Sequence, residues 1–142
     1  MRLNNGTDWL ELEAAPPPAG FDGAAIEPDV LLSVSFQVAS FRGTDQSWVE
    51  RSDWDGFLKE LTALEASRSG EAVLLGASPS EFQLRFYVYD SLGHPAVKGI
   101  LGRSSGHYRT EFGSRVEFCM PFEADQIAAA LDAFRSYSKE TK

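Results

Sequence analysis

Val30, Leu32, Val34, Phe36 and Val38 occupy every second position of one run, with Ser33, Ser35 and Gln37 between them. Side chains of a β-strand point alternately to opposite faces, so this run reads as a strand with one face in a core and one outside it. The pattern recurs. Phe82, Leu84, Phe86 and Val88 alternate with Gln83, Arg85, Tyr87 and Tyr89, and in Thr7 to Glu13 the pair Leu10 and Leu12 alternates with Trp9, Glu11 and Glu13. Strands with one apolar face need a second layer to cover that face, and this requirement limits the fold more than any other feature of the chain.

Two stretches at helical spacing can supply the cover. Trp54, Phe57, Leu58, Leu61 and Leu64 fall on one helix face, as do Ile127, Ala130, Leu131 and Phe134 within Glu123 to Ser138. Ser52 is expected to cap the first helix with Asp55 at the capping-box position, and Asp53 and Asp55 suit the positive end of its dipole. Shorter strands are expected at Gln46 to Arg51, as the returning arm of a hairpin with Trp48 inward, at Glu71 to Ala77 and at Ala96 to Leu101. Within the last of these, Gly99 marks a bulge or a close backbone contact. A longer strand is expected over Tyr108 to Met120, with Tyr108, Phe112, Val116, Phe118 and Met120 on one face and Arg109, Glu111, Arg115 and Glu117 on the other; Pro121 ends it.

Ser78-Pro79-Ser80 and Asp90 to Pro95 read as turns, and Gly102 to Gly106 as a polar loop. The order is strands, helix, strands, helix, joined mostly by short turns. It implies an α+β fold, a mainly antiparallel β-sheet with two amphipathic helices packed on one face. Residues 1–142 form one domain, with a Pro-rich connector over 14–29 around Pro16-Pro17-Pro18 and a fraying tail over 139–142. Each helix follows a strand ending near an acidic cap, which leaves a distant internal duplication open.

The formal charge of −8 is unevenly placed. Residues 1–65 hold twelve Asp and Glu against four Lys and Arg, and residues 66–142 hold nine of each, so the whole excess lies in the first half. Nucleic acids and anionic membranes are bound by clustered Lys and Arg, so neither is the expected partner. The balance favours a basic protein partner, or serves solubility alone. No apolar stretch is long enough to span a bilayer and the N-terminus lacks the apolar segment of a signal peptide, which makes the cytoplasm the expected location.

No catalytic constellation emerges. The two histidines, His94 and His107, lie in Gly-rich turns without a second His or Cys at ligand spacing, so neither a metal nor a cofactor is expected. Cys119, the single cysteine, sits between Phe118 and Met120 and reads as a buried, inert thiol. The glycines of Gly99 to Gly106 match neither the phosphate loop nor the dinucleotide fingerprint.

What remains suits binding. Arg85, Tyr87 and Tyr89 belong to residue types favoured at interfaces, and they form a contact surface, pack under a loop such as the proline connector or pair across strands. An alternative uses Trp9, Trp48, Tyr87 and Tyr89 as a stacking surface for a small molecule or carbohydrate. A third reading is a structural subunit forming a homo-oligomer through an exposed sheet face.

Several segments together resemble the WapI family of bacterial immunity proteins. They are Trp54-Asp55-Gly56-Phe57-Leu58-Lys59-Glu60-Leu61, Phe82-Gln83-Leu84-Arg85-Phe86, Gly93-His94 with Val97-Lys98-Gly99, Arg115-Val116-Glu117-Phe118 and Phe122-Glu123-Ala124-Asp125-Gln126-Ile127. The resemblance covers about residues 30–137, and Asp125-Gln126 at the start of the last helix is its most distinctive piece. It implies a cytoplasmic, non-enzymatic inhibitor of a contact-delivered toxin domain. Toxins of this kind are frequently nucleases with basic clefts, which an acidic inhibitor blocks by charge complementarity. Asp45, Glu50, Asp53, Asp55 and Glu60 are the acids expected to steer such a partner, with exposed aromatics as anchors.

Overall fold

The computed structural model describes residues 1–14, 29–104 and 113–140. In chain order the elements are β1 (Arg2–Asn5), β2 (Asp8–Ala14), β3 (Val30–Val38), β4 (Phe41–Val49), α1 (Arg51–Ser67), β5 (Glu71–Leu75), β6 (Phe82–Val88), β7 (Pro95–Ser104), β8 (Gly113–Pro121) and α2 (Gln126–Glu140). The fold is α+β. Its strands divide into two four-stranded antiparallel meanders, β1-β2-β3-β4 and β5-β6-β7-β8, and each meander is followed by one helix.

Both helices bury the face that their spacing marks. Trp54, Phe57, Leu61 and Leu64 of α1 are buried, with Leu58 partly covered, and Ile127, Ala130, Leu131 and Phe134 of α2 are buried. Phe134 stands edge-on to Trp54, Phe57, Phe86 and Tyr137, with ring centroids 5.0 to 6.3 Å apart. Edge-to-face contacts place the positive ring edge against a negative ring face, each contributing about 0.5–1.5 kcal/mol beyond burial. The Trp54 indole N–H donates to Ser138 Oγ at 2.6 Å, so the buried ring keeps a polar partner.

A stacked pair of rings joins the two sheets within the core. The rings of Phe36 on β3 and Phe118 on β8 lie 4.2 Å apart and 14° from parallel. Each ring also lies over a glycine directly opposite on the neighbouring strand, Phe36 over Gly43 and Phe118 over Gly99. A Cβ on Gly43 would fall 2.5 Å from the Phe36 ring, and one on Gly99 would overlap the Phe118 ring. The register through Gly99 is continuous, so of the two roles expected for it, bulge or close contact, the second is the one it fills.

Unpaired N–H and C=O groups along a sheet edge invite association, and three of the four edges here are blocked by specific contacts. On β1, the Asn4 N–H donates to Gln126 Oε1 at 2.8 Å and Gln126 Nε2 donates to the Asn4 carbonyl at 3.0 Å. The amide thus occupies the place of a missing strand and docks the start of α2 on the first sheet. On β4, the Trp48 carbonyl accepts the Ala77 N–H at 2.7 Å, and on β5 the Val73 N–H donates to Glu60 Oε2 at 2.9 Å. Replacing Gln126 with Ala removes two hydrogen bonds and is expected to cost about 1–2 kcal/mol in urea denaturation, with faster amide exchange at Asn4. Gln126→Glu restores the acceptor but not the donor and should recover only part of the loss.

Several expectations need correction. Trp48 does not face inward: it pairs with Leu31 on the outer face of its sheet, while Val49 beside it is buried. The returning arm is β4 over Phe41–Val49 rather than Gln46 to Arg51, and the chain turns at Ala39 and Ser40, with Ala39 at φ 53°. Ser52 is not the N-cap: α1 begins at Arg51, Glu50 holds the cap position without a side-chain cap bond, and Asp29 Oδ1 accepts the Arg51 N–H at 3.3 Å. Gly102 to Ser104 continue β7, and α2 runs through Glu140. The connector over 15–28, together with His107, Tyr108, Arg109, Glu111 and Phe112, lies outside the described residues.

Candidate functional site

Several of the expected acids lie at or before the start of α1. Asp29 reaches its first N–H, Glu50 occupies the cap position with extended backbone, Asp53 lies in the first turn and Asp55 is exposed. Negative charge is favoured there because the aligned peptide dipoles leave positive potential at a helix N-terminus. No ion pair with a described residue engages Asp29, Glu50, Asp53 or Asp55, whereas Asp45, Glu71, Asp90 and Glu117 are all paired.

The other expected acids are placed differently. At 100° per residue, Asp53 and Glu60 share the flank of α1 toward β5, where Glu60 holds the Val73 N–H, while Asp55 points away toward solvent beside Lys59. Asp45 is on β4, apart from the helix, and its Oδ1 accepts from Arg103 Nη2 at 2.6 Å. Arg103 also donates to the Gln46 carbonyl at 2.8 Å and lies 3.9 Å from Glu81. This network lines a cleft of about 270 Å³ bordered by Phe36, Leu101, Val116 and Arg115. Asp45 is thus already neutralised within the fold.

Arg85 and Tyr87 lie on the outer face of the second sheet. Arg85 pairs with Glu71 and its guanidinium stands 4.9 Å from the centre of the Tyr87 ring. The Tyr87 hydroxyl hydrogen-bonds Cys119 Sγ at 3.2 Å; this bond, then burial, raises the phenol pKa. Cys119 is exposed, which corrects the expectation of a buried thiol. It has the parity opposite to Phe118 and Met120, both of which face the core. On the same face, Glu117 carries a carboxyl pKa lowered by its hydrogen bond to Arg115 and by the charge of Lys98.

Tyr89 lies just beyond β6, exposed, and stacks on His94 with centroids 6.0 Å apart. His94 Nδ1 meets Asp90 Oδ2 at 2.6 Å; this bond and the His94 backbone N–H lower the Asp90 pKa and hold the turn before β7. The four aromatics considered for stacking do not share a surface. Trp9 pairs with Gln37 and Trp48 with Leu31, at opposite ends of β3 on the outer face of the first sheet, while Tyr87 belongs to the second. Arg2 covers Trp9 at 4.5 Å.

Two parts of this arrangement carried no local signal. Asp29 closes the connector in sequence, and nothing near it indicates that it meets Arg51, 22 positions on. Arg103 and Asp45 are 58 positions apart. Among the described residues, no group of three or more His, Cys, Asp and Glu is placed to hold a metal ion, and no helix is long and apolar enough to cross a membrane. Comparison with protein families, with curated proteins and with solved structures finds no match. What the fold defines is a class, an α+β domain of two antiparallel meanders, each completed by a helix.

Proposed function

We propose that this chain is a non-enzymatic, immunity-type inhibitor that docks on the basic surface of a toxin domain in the cytoplasm, led by the carboxylates at the start of α1. The observation that carries the reading is the contrast in pairing. The acids on β4, β5 and β8 are neutralised by arginines, while Asp29, Glu50, Asp53 and Asp55, which lie around the start of α1 on more than one side of it, have no ion pair to a described residue. Unpaired carboxylates near one helix end make the potential around it negative, which accelerates encounter with a basic partner and disfavours acidic ones. The excess of negative charge in residues 1–65 has the same sense.

Co-expression with the toxin domain encoded beside it tests the reading. Growth is expected to be restored, with a complex recovered at low salt. Unrelieved toxicity with no complex would overturn it. The triple charge reversal Glu50→Lys, Asp53→Lys and Asp55→Lys should slow association about 10- to 100-fold at low ionic strength, an effect that shrinks in high salt. Stopped-flow association rates read both values.

A further inference from the structure

The one sheet edge left unblocked among the described residues is that of β8. Its register with β7 fixes which backbone groups face outward. The Phe122 N–H donates to the Pro95 carbonyl at 3.1 Å, and Gly102, next to Leu101, donates the other way, to Glu81 on the β6 side, at 2.8 Å. Hydrogen-bonded pairs alternate along an antiparallel ladder, so Ser114, Val116, Phe118 and Met120 turn their N–H and C=O groups to β7. Those of Arg115, Glu117 and Cys119 therefore point away from the sheet. No described residue hydrogen-bonds them, in contrast with the contacts made by Gln126, Ala77 and Glu60 on the other edges.

We propose that a second copy of this chain pairs with this edge, β8 against β8 in antiparallel register about a twofold axis at Val116, joining two four-stranded sheets into one of eight strands. Two features select this occupant and this register. A twofold axis at Val116 sets the outward backbone groups of Arg115 opposite those of Glu117 of the second copy, and the reverse, which is the hydrogen-bonded kind of pair. The same register places Arg115 across from Glu117 twice on the exposed face, exchanging the 2.9 Å pair inside each of the two chains for two pairs between them. An axis at Arg115 or at Glu117 sets like charges opposite each other, and an axis at Phe118 leaves Arg115 facing a proline. Charge thus selects one register among its neighbours.

Sedimentation velocity across protein concentrations is the test. The wild-type chain is expected to reach twice its 15.6 kDa mass as concentration rises, with amide exchange at Arg115 and Glu117 slowing in parallel. Arg115→Glu and Glu117→Arg, which each make both cross-strand pairs like-charged, should weaken dimerisation about tenfold or more, and the double variant carrying both should restore it. Circular dichroism of each variant verifies folding. A wild-type monomer at every concentration, or a dimer indifferent to both single reversals, would overturn the proposal. A folded double variant that stays monomeric would also overturn it, because the exchanged charges complement each other equally well. None of these outcomes depends on a toxin.

Discussion

Replacing Phe134 with Ala is expected to lower stability by about 3–5 kcal/mol, the cost of deleting a fully buried aromatic side chain that its surroundings cannot refill. Phe134 is completely buried and its ring touches the edges or faces of Trp54, Phe57, Phe86 and Tyr137. These come from α1, β6 and α2, so the cavity opens where both helices meet the second sheet. Phe134→Leu retains much of the volume and should lose less than half as much. Urea denaturation of the three proteins measures this. Equal losses for Ala and Leu would mean that the ring contacts, not the filled volume, dominate.

The second large effect falls on a residue with no side chain. Gly99→Val is expected to destabilise by about 3 kcal/mol, since the added carbons must displace the Phe118 ring and with it the stack on Phe36. Combining Gly99→Val with Phe118→Ala should cost less than the sum of the single changes, because the second removes the atoms that the first collides with. Gly56, with nothing near its missing Cβ and a place inside α1, provides the opposite control. Gly56→Ala should stabilise by about 0.5–1 kcal/mol through helix propensity. Thermal unfolding of this series separates a steric requirement for glycine from a merely permitted one.

The regular strands and helices were readable because their periods are local. The alternation at Val30–Val38 and Phe82–Val88 and the spacing of Trp54, Phe57, Leu61 and Leu64 place the right residues in the core. β1 was not expected, since Leu3 is its one apolar member, although Asn5-Gly6 beside the Gly6-Thr7 turn is a hairpin signal. The division into two sheets had no local signal. It depends on α1 separating β4 from β5 and on Phe36 meeting Phe118, 82 positions away. The face of Trp48 is not legible locally, because a short alternation containing Trp48 and Val49 fits either parity until the pairing with β3 is known.

The candidate site was legible in charge but not in geometry. Counting acids localises the excess to residues 1–65, and only the contacts distinguish Asp45, held by Arg103, from Glu50, Asp53 and Asp55. The place of Gly99 in a strand left a bulge and a close backbone contact both open, and only the fold shows the Phe118 ring lying over it.

Titration calorimetry of the chain with the basic toxin domain proposed as its partner, at low and at high salt, tests the central claim most directly. A one-to-one complex whose affinity falls as salt rises is expected, and a weaker, less salt-dependent one when Glu50, Asp53 and Asp55 are reversed to Lys. Binding that is insensitive to salt and unchanged by the triple reversal would contradict it.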